Sequence, residues 1–211
     1  MLNSKIEKTL LSLMTLLVIG ACSNSATPAP KAPASLSIED KDSKEMKALK
    51  ITLLKYTDAT INNDIPTLVD FIYPKAFEVV SKEKMLTMLE ETYAKGNMPT
   101  VKDVKHLSIK EIQDYNFGRY SVIVSSMTTL IKSPKPKDSA FEAYMLETLQ
   151  NKLGTQGEVK FDKEHHLFTI QHQNKTMALN EGEGWKFVGF KQAKKYIDKG
   201  IFPLMLIDEI Q

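Results

Sequence analysis

Tyr56-Thr57-Asp58-Ala59-Thr60-Ile61-Asn62-Asn63-Asp64-Ile65-Pro66-Thr67-Leu68-Val69-Asp70-Phe71-Ile72-Tyr73-Pro74 is the stretch whose reading decides the fold. Apolar and polar residues recur at three- and four-residue steps up to Ile61, as on one face of a helix. Three residues that favour turns, Asn62-Asn63-Asp64, then interrupt the pattern. Asp64 is a helix N-cap by residue type, and Pro66 suits a first helical turn. A second, short helix over Thr67–Tyr73 follows, stopped by Pro74, because the residue before proline is pushed out of helical geometry. The stretch therefore reads as helix, break, helix.

Working upstream, Met46, Leu49, Leu53, Leu54 and Thr57 extend the first helix back to about Ser43. Working downstream, a third helix starts after Ser81, carries Met85, Leu86, Met88, Leu89 and Tyr93 on its apolar face, and stops at Gly96. The period then changes. His106–Gln113 and Arg119–Lys132 read as strands around the turn Asp114–Gly118. A helix over about residues 139–153 (Phe141, Tyr144, Met145, Leu149, Leu153) interrupts the strands as a helical insertion. Glu158–Phe161, Leu167–Gln173, Thr176–Leu179 and Trp185–Phe190 read as short strands, with Asn174-Lys175 as one of the turns. The tail reads as a helical piece ending at Gly200 and an apolar turn after Pro203. Helices first and an antiparallel meander after them predict an α+β fold, with the helices packed on one face of a curved sheet.

The helix–break–helix opening, and the Gly184-Trp185-Lys186-Phe187-Val188 strand near the end, resemble the NTF2-like (SnoaL-like, cystatin-like cone) superfamily. The resemblance spans about residues 45–190. It implies a pocket between the helices and a concave sheet; the helix at about 139–153 departs from that plan and reads as an insertion at the mouth of the cone. Members of the superfamily include isomerases and dehydratases as well as domains that only bind, so the fold does not give the function.

The N-terminus carries an address. Lys5 and Lys8 precede an almost uninterrupted apolar run, Leu10–Ala21. At 12 residues it is shorter than the ~20 a membrane-spanning helix needs, and with small residues at its end it reads as an export signal. Val18-Ile19-Gly20-Ala21-Cys22 resembles the lipobox of bacterial lipoproteins. The resemblance implies cleavage before Cys22 and lipid on its thiol, an anchor to a membrane of the cell envelope. Ser23 follows the cysteine, where Asp would resemble an inner-membrane retention signal. In a Gram-negative cell that implies the outer membrane, facing the periplasm. Residues 22–42, rich in Ala, Pro and Ser, read as a flexible tether that buries nothing, and 43–211 as one domain.

Cys22 is the sole cysteine, so no internal disulfide forms and the domain relies on its core. The net charge is +2, and the leader removes one of those positives. Such a balance gives no electrostatic footprint for nucleic acid.

Chemistry is sparse. No phosphate loop, nucleophile elbow, metalloprotease helix or cysteine pair is present, which predicts no cofactor and no metal. Adjacent His165 and His166 point to opposite faces of a strand, so a polar turn explains them better than a shared ion. Asn174-Lys175-Thr176 matches a glycosylation sequon without a eukaryotic context. Asp58, on the first helix, and His172, on the face shared by His166, Phe168 and Ile170, are the acid–base candidates, and for both a structural role weighs more. Asp70 reads as solvent-facing. Tyr56, Tyr73, Tyr93, Tyr120, Phe168 and Trp185 are candidate cavity walls or plain core. Three expectations follow: first a non-enzymatic binding or interaction domain for a protein partner or small hydrophobic ligand, then a small-molecule acid–base enzyme, then an accessory subunit of an envelope complex.

Overall fold

A computed structural model describes residues 36–94 and 99–198 of the 211. Cys22 with its leader, Gly96, and the tail around Gly200 and Pro203 lie outside the described residues. Helix α1, Lys44–Asn62, is capped by the Ser43 side chain accepting from the Met46 N–H, and Asn63 ends it in the left-handed conformation. Helix α2 is shorter than expected, Ile65–Asp70, with the Asp64 carboxylate accepting from the Thr67 N–H. It stops before Ile72 because that residue leaves to form a parallel bridge with Phe187, and Pro74 instead opens a 3-10 turn, Pro74–Glu78. Helix α3 is Lys82–Ala94.

Six strands form one antiparallel sheet: β1 Thr100–Ile109, β2 Gln113–Tyr115, β3 Gly118–Lys132, β4 Gly157–Asp162, β5 Leu167–Asn180 and β6 Lys186–Gly189. The main order is β1-β3-β5-β4, with β2 on β3 and β6 on β5. Helix α4, Ser139–Leu153, is inserted between β3 and β4, and α5, Phe190–Asp198, follows β6. The fold is α+β, with helices N-terminal to a curved, open antiparallel sheet.

Several strand boundaries differ from the sequence reading. β1 runs Thr100–Ile109 in place of His106–Gln113, Gln113 opens β2 so that the 114–118 turn tightens to Asn116-Phe117, and Phe190 starts a helix where the last strand was expected to end. Asn174-Lys175 is not a turn. It lies mid-strand in β5, where Ser125 faces Asn174 and Val124 faces Lys175 in an unbroken ladder with β3. Fourteen consecutive cross-strand pairs outweigh the turn propensity of two residues.

The long strands divide the core. On the concave face α1 packs Leu49 and Leu53 against Ile123, Ala178, Trp185 and Phe187. Farther along the same face, α4 lays Met145, Leu146, Leu149 and Leu153 on Ile131, Val159, Phe168 and Ile170. Met177, Leu179, Tyr120 and Val122 point the other way and pack against Ala193 and Ile197 of α5. The described helices thus cover both faces, with α5, beside Tyr73, on the side of β5 and β6 that faces away from α1.

Residues 36–42, the last part of the segment expected to be a tether, are held against the domain. Leu36 packs on the α1 core, and Lys50 donates to the Ser37 carbonyl at 3.1 Å and pairs with Asp42 at 2.7 Å. Both partners of that pair are nearly buried, at 12% and 11% side-chain exposure. Residues 36–42 are docked on α1, since its lysines hold the carbonyls and carboxylate that precede it.

Candidate functional site

Inside the cone, the inward stripe of α1 is apolar at Leu49 and Leu53 and turns polar at buried Thr57 and Thr60. The concave side of β3 alternates in the same spirit: buried Ser121, Ser125 and Thr129 between Ile123, Met127 and Ile131. β5 adds Asn174 and Thr176. His106 enters from β1, opposite Ser125. Its Nε2 lies 3.0 Å from the Thr57 hydroxyl and its Nδ1 2.9 Å from the Ser125 hydroxyl. One ring nitrogen donates and the other accepts, and hydroxyls serve either role. Burial pushes the imidazole down to about 4, so it is neutral at physiological pH. Among the described residues, no carboxylate lines this cleft.

The space left over is about 30 Å3, room for about two waters. An acid–base catalyst needs a nitrogen facing its substrate. Both nitrogens of His106 face hydroxyls of the fold.

The candidates read from sequence land in different places. Asp58 is exposed on the outer side of α1, accepting from the Asn62 amide at 3.0 Å, and is therefore no cone carboxylate. His172 does share the concave face with Phe168 and Ile170, opposite Met127 and half-buried, but it stands outside the cleft around His106. Asp70 is exposed and pairs with Lys82 at 2.6 Å. Tyr56 lines the cleft, stacked on Phe187 at 4.6 Å, and burial pushes its phenol well above the usual range. Trp185 and Phe168 are core, Tyr73 and Tyr120 belong to the α5-side cluster, and Tyr93 is exposed.

Two further clusters were not anticipated. His166 is more than a turn residue: its Nδ1 donates to the buried Glu142 carboxylate of α4 at 2.8 Å, tying the inserted helix to the β4–β5 turn. His165 faces outward onto Asp162, so the two histidines do diverge. The other cluster centres on Glu181, just after β5. Its Oε1 accepts from the Tyr73 hydroxyl at 2.8 Å and the Tyr115 hydroxyl at 2.6 Å. Lys75 Nζ lies 3.2 Å from Oε2. Burial alone would raise this carboxyl, but the hydrogen bonds from Tyr115, Tyr73 and Lys75 together hold it below its ordinary value. Burial first, and then the same hydrogen bond, push both phenols far above theirs.

Gly118 brings the β2–β3 hairpin against this cluster. A Cβ there would overlap the Asn180 carbonyl oxygen and press on the Glu181 Cα. Gly118→Ala should therefore lower stability by about 1–3 kcal/mol. A urea unfolding midpoint that does not move would contradict the tight approach.

Comparison with known proteins finds no family model that matches the chain, no matching curated protein and no matching solved structure.

The signals for these residues were faint but physical. Thr57 and Thr60 break an apolar stripe, and a serine or threonine recurs every fourth residue along β3 (Ser121, Ser125, Thr129), both marks of a polar interior. Nothing local marks Glu181, whose donors lie 108 and 66 residues away.

Proposed function

We propose that this chain is a lipoprotein of the bacterial cell envelope, cleaved before Cys22 and anchored by lipid on it, whose domain works by binding a partner at its surface. The observation that carries the second half is the narrowness of the cleft: about 30 Å3 remains around an imidazole already engaged at both nitrogens. The α+β architecture supports the NTF2-like resemblance, within which binding without turnover is common. Ser23 favours the outer membrane in a Gram-negative cell.

Cys22→Ala tests the anchor. The native chain should sediment with membranes and carry acyl mass on its N-terminal cysteine. The variant should lose the acyl mass and move to the soluble fraction or stay as unprocessed precursor. An unmodified Cys22 in the mature native chain would overturn the anchor. In-cell crosslinking followed by mass spectrometry tests the binding role, and a chain that recovers no partner and runs as a monodisperse monomer would overturn it. An acid–base enzyme is the second reading, favoured by the imidazole and the Tyr56 ring sharing one cleft. It requires the cone to open, and turnover abolished by His106→Gln would establish it.

A further inference from the structure

The polar side chains of the cleft fall into two groups. Thr57, His106 and Ser125 satisfy one another, and the Thr60 hydroxyl donates to the Tyr56 carbonyl at 2.7 Å. The Tyr56 phenol, the Asn174 amide and the Thr176 hydroxyl line the same space, and among the described residues none of these three groups has a hydrogen-bond partner.

The fold, and not a bond among them, sets where the three stand. Asn174 lies across from Ser125, and Ser125 across from His106, so the amide continues a polar row over three strands. Thr176 is the next residue of β5 on that face, between Ile123 of β3 and Gly189 of β6, which has no side chain to offer it. Tyr56 comes from α1, its ring fixed by the stack on Phe187 at 4.6 Å and an edge contact with Phe71 at 6.0 Å. Thr176 is only 9% exposed. A polar group shut away from water costs stability unless something bonds it. Tyr56 and Asn174 are half-buried, which leaves the cleft a way to solvent.

The walls define what fits. Among the described residues, no charged side chain lines the cleft, and His106 is neutral. An ion would therefore enter without a counter-charge, which burial penalises heavily. Leu53, Val104, Ile123 and Met127 make the rest of the lining apolar. Room for about two waters matches a head group of roughly three or four heavy atoms. A carboxamide has that size, with an acceptor on one side and donors on the other. It can pair reciprocally with the Asn174 amide, while the two hydroxyls serve as donor or acceptor.

We infer that Tyr56, Asn174 and Thr176 form a binding site for a small uncharged carboxamide group, carried by a free amide or by a larger molecule whose body stays outside the cleft. This goes beyond the surface role proposed above and does not rest on it. The narrowness that leaves no substrate space at the His106 nitrogens still admits a head group of this size.

The test uses the full chain purified in detergent, labelled for NMR at side-chain amides and threonine methyls. Acetamide should shift the Asn174 amide and Thr176 methyl signals saturably, with a Kd of about 1 mM. Acetate, of the same shape but charged, should not. Tyr56→Phe and Thr176→Val should each weaken acetamide about tenfold, and Asn174→Ala should abolish its binding. The first two variants keep the shape and remove an unpaired hydroxyl, so they should unfold at the same urea concentration as the native chain or a higher one. A purely structural role for these hydroxyls predicts the opposite. No saturable shift with acetamide, an equal response to acetate, or a urea midpoint that falls in both of those variants would overturn the inference. Should Asn174→Ala fail to fold, the two shape-preserving variants decide alone. Once acetamide binding is established, a glutamine-bearing tripeptide that binds more tightly assigns the amide to a larger ligand, and one that binds no better assigns it to a free molecule.

Discussion

Acidifying the protein from pH 7 to pH 4 should remove about 2–3 kcal/mol of stability through His106 alone. The unfolded chain takes up a proton on this residue near pH 6.5, the folded chain only near about 4. Between those values the unfolded state holds more protons, so stability rises with pH and is lost as pH falls. The loss begins below the unfolded value and is complete once pH drops past the folded one. The upper end of the range applies to a fully enclosed ring, and part of His106 reaches solvent, which pulls the figure down. Carboxylates held low by partners, Glu181 among them, add their own acid sensitivity. The measurement is therefore a difference: urea unfolding of native chain and His106→Gln at matched pH. The variant should start less stable at pH 7, having lost the ring between Thr57 and Ser125, and then fall less steeply. Parallel curves from pH 7 to pH 4 would mean that His106 titrates alike in both states, and the buried, neutral imidazole would have to be given up.

Replacing Phe168 by Ala should be the most damaging of the core changes, at about 3–5 kcal/mol. Phe168 is fully buried, stacked on Phe161 at 4.5 Å, and sits under α4 with Ile131, Val159 and Ile170. Only half-buried residues of α4 cover that cluster, and the one fully buried residue among α4's described side chains is Glu142. The cavity therefore opens beneath the least secured helix. Hydrogen exchange should rise first in Ser139–Leu153 and in β4, while α1 and its partners on β3 keep their protection. Exchange that rises uniformly would mean that the two ends of the concave face melt as one unit, and a loss under about 1 kcal/mol would mean that α4 collapses into the gap.

The two ends of the molecule were unequally legible in the sequence. The α1–α2 opening follows from local chemistry: helical spacing, an Asp64 cap and an Asn63 stop all lie within a few residues of one another. The inserted helix likewise advertised itself by period and flanking signals. β1 did not, because register shifts between Val101 and Asp103 and between His106 and Ser108 reset its alternation. Val101, Val104 and His106 consequently share the concave side, opposite Thr129, Met127 and Ser125, a set that strict period two would split. Bulges re-aim side chains in this way, and the histidine of the cleft was hidden by one. Asn174 was misplaced for the opposite reason: a turn-forming pair was overruled by a partner strand that no local window contains. Glu181 depends on Tyr73 and Tyr115, which only the assembled tertiary fold brings near, so no reading by period could single it out.

The docking of residues 36–42 on α1 sets a mechanical limit. Should Cys22 carry the proposed lipid, the leash between anchor and domain would be the 13 residues 23–35, a length of chain that spans at most about 45 Å. Lys50 acts as a cleat on that leash. Freeing the whole segment, Leu36 from the core and Ser37, Asp40 and Asp42 from Lys47 and Lys50, would let out seven more residues, about 25 Å of extra radius. The volume the domain sweeps above the bilayer would then be set by how firmly this short segment is docked on α1.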